Sequence, residues 1–401
     1  MLPTPEEAWQ RIAPHLASRP GAWLPRREAA GRVAARDHEA LLPIPPVDVS
    51  AMDGYAVAGN HAPGTLLPVA GLVAAGDAPG AALAPGTSLR VMTGAPVPAG
   101  ADRIVPVERT DRGRETVTLT DGGAASDHIR RGGEVQRPGE PMLPAGALLT
   151  AGPLSLAAAH GYERLFVHPP PSVAVLPTGD EVVPPEAPLA PGQIHDSHTD
   201  FLLAELARLG LAGDPLGIAP DEPEELAARM AQGLAHDVLL VCGGVSAGEL
   251  DLVEEALLRL GCEPVVDGVA MQPGKPLFVA RHARGLVFGL PGNPASVMVA
   301  WHLFVRPALR CLLGLPDATW RGALSAELTG ELAGANDRAR YLPVRLARRD
   351  GRLLAGPATA KGSHDLPAYA AADALVRVPP LSPPLPPGAS CEVLPVRDLP
   401  G

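Results

Sequence analysis

Cysteine is scarce in this sequence: four residues in 401, at Cys242, Cys262, Cys311 and Cys391, with no CxxC pair. Such wide spacing argues against both a disulfide framework and a cysteine-held zinc site. An excess of cations is also missing. Lys and Arg total 33 against 44 Asp and Glu, for a formal net charge of −11 and a pI near 5.6. A long footprint on nucleic acid or on an anionic membrane is therefore not expected, and any anionic ligand has to be held locally. No apolar run is long enough to span a bilayer; stretches such as 297–305 fall well short. The opening MLPTPEEAW lacks the basic and apolar segments of a secretory leader, so a cytoplasmic protein is expected.

What is present is a globular composition, 46% hydrophobic and 19% charged. The 48 prolines and 44 glycines fall between apolar runs, where they read as turns and strand ends. Thr4, Pro5 and Glu7 spell the start of a helix with a capping box, followed by Trp9, Ile12, Ala13 and Leu16 on one face. From about 41 to 146 short apolar runs broken by Gly and Pro indicate a β-rich region. A triple proline, Pro169 to Pro171, marks a linker. Beyond it, a strand at 173–176 and helices at about 197–209, 222–234 (capped by Asp221) and 252–260 alternate with strands near 216–218 and at DVLLVCGG. That alternation predicts a parallel α/β sheet. A helix starting at Asn293-Pro294 runs to about 313, and a small β domain follows to the end.

Four loops share a position in this pattern: TGDE (178–181), CGGVSAGELD (242–251), PGKP (273–276) and GLPGNP (289–294), each after an apolar run. In open α/β sheets ligands bind beyond the carboxyl ends of the strands, so these loops should surround one crevice. Gly243, Gly244 and Gly248 permit close backbone approach, their amides and the helix start at Asn293 can hold phosphate oxygens, and Lys275 adds a positive charge. The carboxylates Asp180, Glu181, Asp221 and Asp251 would repel phosphate unless a divalent cation such as Mg2+ lies between them. Asp221 and Asp251 also fit as helix caps. Asp53 in SAMDGYAV and Thr93 in MTGAP read locally as turn residues. His195 and His198 flank Asp196 without a third ligand at defined spacing, and only loosely suggest a metal site.

Taken in order, SAMDGYAV, VMTGAPVPAGAD, PTGDE, CGGVSAGELD, QPGKP and GLPGNPAS resemble the motifs of the molybdopterin molybdenumtransferase family, over essentially the whole chain to GSHDLPAY. The resemblance implies a multidomain α/β plus β protein: an elongated N-terminal region (1–45 and 133–170), an inserted β-rich domain (46–132), a doubly wound molybdopterin-binding α/β domain (171–314) and a C-terminal β-barrel-like domain (315–401). It implies a homodimer whose active site is shared between the α/β domain of one subunit and the SAMDGYAV domain of the other. The implied reaction inserts molybdate into adenylylated molybdopterin with Mg2+ present, releasing AMP. Catalytic roles then fall on Asp53, Glu181, Asp251 and Lys275, with Glu181 and Asp251 holding the metal. Substrate binding falls on Thr93, Thr178, Gly179, Asp180, Asp221, Gly243, Gly244, Ser246, Gly248, Pro291, Asn293 and Ser363. Further implied partners are a molybdopterin adenylyltransferase and molybdoenzyme acceptors.

Several positions depart from the family pattern. Gln272 and Gly268 stand where a basic residue is common, Val135 where an acidic one is, and His195 and His198 where Tyr and Asn are. Lost Lys charge weakens oxyanion capture, which Arg130, Arg131 or Arg137 would have to restore. Two other readings are a non-catalytic scaffold that keeps the molybdopterin-binding fold, and the related adenylyltransferase, which shares only the α/β domain. The retained carboxylates speak against the first and the flanking β regions against the second.

Overall fold

The structure, a computed structural model, describes residues 1–120, 128–244, 252–335 and 337–397. The chain forms two compact units, one of Leu24–Ala30 and Arg36–Leu165, the other of Met1–Trp23, Gly31–Ala35 and Phe166–Gly401. Among the described residues no helix is long and apolar enough to cross a membrane.

The first of these units is β-rich, as the broken apolar runs require. Its five-stranded sheet runs Arg103–Pro106, Gly54–Val57, Ser88–Val91, Thr65–Val73 and Thr116–Leu119 in spatial order. Tyr55 and Val57 face one small core with Val105 and Val117, while Ala56 faces another with Val91 and Ile104. Alternation along a single strand thus serves both sides of the sheet.

In the other unit the N-terminal capping box forms: the Thr4 amide donates to Glu7 Oε2 at 2.8 Å and the Glu7 amide to Thr4 Oγ1 at 3.2 Å. The α/β sheet comprises β1 (Val173–Pro177), β2 (Gly213–Pro215), β3 (Val238–Cys242), β4 (Glu263–Asp267), β5 (Phe278–Arg281) and β6 (Leu286–Leu290), in the order β2-β1-β3-β6-β5-β4. β1, β2, β3 and β6 are parallel and β4 runs in their direction, but β5 is reversed, antiparallel to both β6 and β4, which corrects the expectation of a parallel sheet. Both faces are covered. Val173, Val175, Leu240 and Phe288 pack with Leu202 and Leu206 of α1 (His198–Arg208), whereas Ala174, Leu176, Leu239 and Val287 pack with Leu226 and Met230 of α2 (Pro223–Gly233) and Leu257 of α3 (Leu252–Arg259). Each such buried Leu or Val contributes roughly 1.5–3 kcal/mol, and burial on both faces is why β1, β3 and β6 are unbroken apolar runs.

The helix that starts after Asn293 is in three parts: α4 (Pro294–Ala300), a π-helical turn Trp301–Val305 and α5 (Arg306–Leu312). Beyond it lies a closed five-stranded barrel of β7 (Leu324–Leu328), β8 (Ala339–Arg349), β9 (Arg352–Pro357), β10 (Ala374–Val378) and β11 (Ser390–Pro395). The short strand Met271–Gln272 pairs in parallel with Ala339 and Arg340 of β8, tying the segment before PGKP to the barrel wall.

Candidate active site

The loops singled out in the sequence meet at one edge of the α/β sheet. TGDE follows β1, CGG follows β3 and GLPGNP spans the end of β6 and the start of α4. PGKP lies before β5 rather than after a parallel strand; because β5 is antiparallel, with Phe278 opposite Gly289, this loop still reaches the same edge. Backbone contacts knit the loops together. The Thr178 amide donates to the Cys242 carbonyl at 2.9 Å, the Gly243 amide to the Leu290 carbonyl at 2.9 Å and the Ala295 amide to the Ser363 carbonyl at 3.1 Å. Gly243 has φ +107, and a Cβ there would lie 2.7 Å from the Thr178 carbonyl oxygen, so only glycine fits this crossing.

On one side of the edge three carboxylates converge. The Asp221 amide donates to Asp180 Oδ1 at 3.0 Å. Burial, then the charges of Asp180 and Glu181, raise the Asp221 carboxyl above its ordinary range, partly offset by a hydrogen bond from the Asp180 backbone to that carboxyl. Asp221 is not the cap of α2: Glu222 occupies the N-cap, because Pro223 sits at the first turn and moves the start one residue on. A cleft of about 510 Å3 opens beside Gly179, Asp180, Asp196 and Thr199, within the range of small-molecule sites. The buried Thr178 Oγ1 has no partner among the described residues.

A raised carboxyl pKa means that the folded chain binds this proton more tightly than the unfolded chain does. Stability is therefore lost as pH rises from the ordinary 3.8 through the folded value, and the deficit persists at neutral pH. Asp221→Asn should raise Tm at pH 7 by roughly 1–2 °C, with the difference shrinking toward pH 4, as read by thermal denaturation across that range. An equal or lower Tm at pH 7 would show that the carboxylates do not repel one another.

On the other side lies a cationic recess of about 250 Å3, lined among others by Lys275, Asn293, Ser296, Arg338, Arg340 and Ser363. Pro291 also lines it, and Gly292 approaches the Gly243 backbone, so the GLPGNP loop is the wall between recess and carboxylates. Lys275 is exposed, and its ammonium has no ion pair among the described residues. Arg340 is steadied by bonds to the carbonyls of Ala333 and Gly334, at 3.3 and 2.7 Å. Arg338 and Arg340 carried no local signal in the sequence. One signal was available: the chain has only two lysines, Lys275 and Lys361, and Lys361 lies between Ala360 and Gly362 of this lining.

The amides expected to hold phosphate are largely committed elsewhere. Gly179 donates to the Ala219 carbonyl at 3.1 Å, and Gly243 and Ala295 are spent as above. Asn293 occupies the N-cap of α4 without a side-chain cap bond. Asp251, Ser246 and Gly248 lie outside the described residues.

In the β-rich unit Asp53 is exposed, and its Oδ1 accepts from the Thr93 amide at 2.7 Å and the Thr93 hydroxyl at 2.8 Å. These two bonds, with help from Arg90, hold its carboxyl below the usual carboxylate range. Asp53 thus ties together two loops far apart in the chain rather than bonding a nearby amide as its turn setting suggests, and its second carboxylate oxygen is left over.

Three family profiles match in succession: the MoeA N-terminal region (domain I and II) over residues 4–161, a probable molybdopterin binding domain over 174–311, and the MoeA C-terminal region (domain IV) over 325–396. A protein of Mycobacterium tuberculosis named molybdopterin molybdenumtransferase 2 is 37% identical over 369 residues, covering 89% of this chain and 90% of its own length. A molybdopterin molybdenumtransferase of Synechococcus elongatus is 40% identical over 298 residues, 71% of this chain and 74% of that protein. This chain belongs to the molybdopterin molybdenumtransferase (MoeA) family. The fold agrees: the crystal structure of a molybdopterin biosynthesis MoeA protein from Pyrococcus horikoshii superimposes with a TM-score of 0.84 at 30% identity, over 99% of this chain and all of that one.

Where this MoeA-family chain departs from the usual pattern, the structure supplies reasons. Gly268 has φ +74, and a Cβ there would meet Leu2 Cδ2 at 2.9 Å, so a Lys at this position would be strained. Gln272 is exposed at the recess. Arg131 is engaged by Asp48, and Arg130 sits 3.7 Å from Glu134. Val135 is exposed. His195 Nε2 donates to the Ala187 carbonyl 2.9 Å away, and burial pushes the His198 pKa down while Asp196 partly opposes it. Among the described residues no three His, Cys, Asp or Glu side chains are grouped to hold a metal, so His195 and His198 gain no third ligand there.

Proposed function

We propose that this chain is a molybdopterin molybdenumtransferase that inserts molybdate into adenylylated molybdopterin and releases AMP. The observation that carries the reading is the meeting, at one sheet edge, of the cationic recess around Lys275 with the acidic cleft around Asp180 and Asp221. Such a division suits a reaction with one oxyanion substrate and one anhydride that needs a cation. The fixed charges of Lys275, Arg338 and Arg340 hold the molybdate oxygens, and the Ser363 hydroxyl adds a donor. Arg338 and Arg340 then stand in for the basic residues replaced by Gln272 and Gly268. Lys275 also stabilises charge that develops as water adds to phosphorus and the anhydride P–O bond breaks, with AMP as the leaving group.

The hard-oxygen donors Asp180, Glu181 and Asp221 fit Mg2+ in kind, although the described residues make no closed cage. Mg2+ commonly keeps waters and borrows ligands from substrate phosphates. When bound it would neutralise the phosphoanhydride, with Glu181 and Asp251 among its holders. We further propose a homodimer in which Asp53 of one subunit completes the site of the other, and the four-domain division at 46, 133, 171 and 315. The assay is direct: purified chain with adenylylated molybdopterin, molybdate and Mg2+ should release AMP and form cofactor, with loss on chelation. Adenylylation of molybdopterin from ATP, or mere binding without AMP release, would replace this reading by the adenylyltransferase or the scaffold.

A further inference from the structure

A second cationic recess, also of about 250 Å3, lies where the last turn of α1, the π-helical turn with the start of α5, and the segment after β11 come together. Because α1 starts at the active edge and runs back along the sheet to β2, its last turn lies toward the opposite edge. Four arginines, Arg208, Arg306, Arg310 and Arg397, line this recess with Glu205 and His302.

Three of the arginines have a carboxylate each: Arg208 with Glu205 at 2.8 Å, Arg310 with Asp317, and Arg397 with Asp373. These pairs fix the guanidinium groups in place. Arg306 has no hydrogen bond or ion pair among the described residues. It is half-buried, and burial, then the charge of Arg310, lowers its pKa, with Asp317 and Glu205 opposing and Arg208 adding a smaller push downward. A desolvated cation beside further cations is costly unless an anion joins it. His302 is an independent pointer: it is only 5% exposed, and its Nδ1 has no partner. A buried ring nitrogen without a partner, beside a guanidinium with no direct pair, can donate to a ligand oxygen in the tautomer that puts the proton on Nδ1.

We propose that this recess is a second oxyanion site, separate from the Lys275 recess, and that it takes a phosphate-class tetrahedral anion. Arg306 supplies the uncompensated charge, the neighbouring guanidinium forks supply further donors, and the His302 ring N–H completes the set. Fork geometry favours such an anion, whose oxygens pair bidentately with guanidinium.

Titration calorimetry of the full chain with inorganic phosphate at fixed ionic strength tests this. Wild type should show two binding events. Arg306→Gln should weaken one at least about tenfold, while Lys275→Gln should weaken the other. Parallel titrations with AMP and ADP separate free phosphate from phosphate carried on a nucleotide. Should Arg306→Gln fail to fold, Arg306→Lys keeps the charge but loses the fork, and should still weaken the same event. An Arg306 variant whose phosphate isotherm superimposes on wild type overturns the site. So does an altered sedimentation coefficient with unchanged phosphate binding, because the recess would then be receiving a carboxylate from another chain.

Discussion

Lys275→Ala is expected to slow AMP release from adenylylated molybdopterin about 10²–10³-fold, the usual loss when one preorganised charge is removed from a developing anion. Lys275 is exposed, free of ion pairs among the described residues, and set among Arg338, Arg340 and Ser363. Its removal leaves those arginines in place, so the fold should persist and Tm should hardly move. Lys275→Arg should recover part of the rate. A molybdate titration separates two roles: a rise in the half-saturating concentration alone means capture, a fall in the saturated rate means stabilisation of the broken anhydride. A rate within threefold of wild type would remove the lysine from the mechanism.

Asp53→Ala should reduce AMP release to below about 1% of wild type while sedimentation stays unchanged, a loss on the scale of an essential acid–base or positioning group. A structural explanation is available, since Asp53 Oδ1 holds the Thr93 loop through two bonds. Thr93→Val separates the two, because it removes one of those bonds and leaves the carboxylate. Activity near wild type in Thr93→Val with loss in Asp53→Ala supports a direct role; equal losses and equal drops in Tm would make Asp53 a loop anchor. Asp251→Ala is expected to behave as Asp53→Ala does, on the family resemblance alone.

Much of this fold was legible because burial on two faces leaves a plain mark. Val173–Pro177, Val238–Cys242 and Leu286–Leu290 are wholly buried and wholly uncharged. Strand direction leaves no such mark. EPVVD and FVAR are short and mixed, and nothing in them says that they run against their neighbours. The Asp221 cap was misread by one position, since Asp and Glu both precede Pro223 and either can start a helix there. The site was legible loop by loop, through glycines that a turn requires. Arg338 and Arg340 were not, because they enter through the pairing of β8 with Met271–Gln272, a contact between segments far apart in the chain. Free backbone amides could not be counted from sequence either: whether Gly243 offers its N–H outward depends on Leu290 standing beside it.

The Lys275 loop is moored on both flanks, by Met271–Gln272 against the barrel and by Asp267 opposite Phe278 in the sheet, and the Val269 amide holds the Lys275 carbonyl at 2.8 Å. Its backbone is thus in position before any ligand arrives, so capture carries little entropic penalty for ordering a lid. The same rigidity limits tolerance. An oxyanion with longer metal–oxygen bonds meets cations at fixed separations and has to accept poorer distances, so discrimination among such anions becomes a matter of ruler-like spacing rather than of closure.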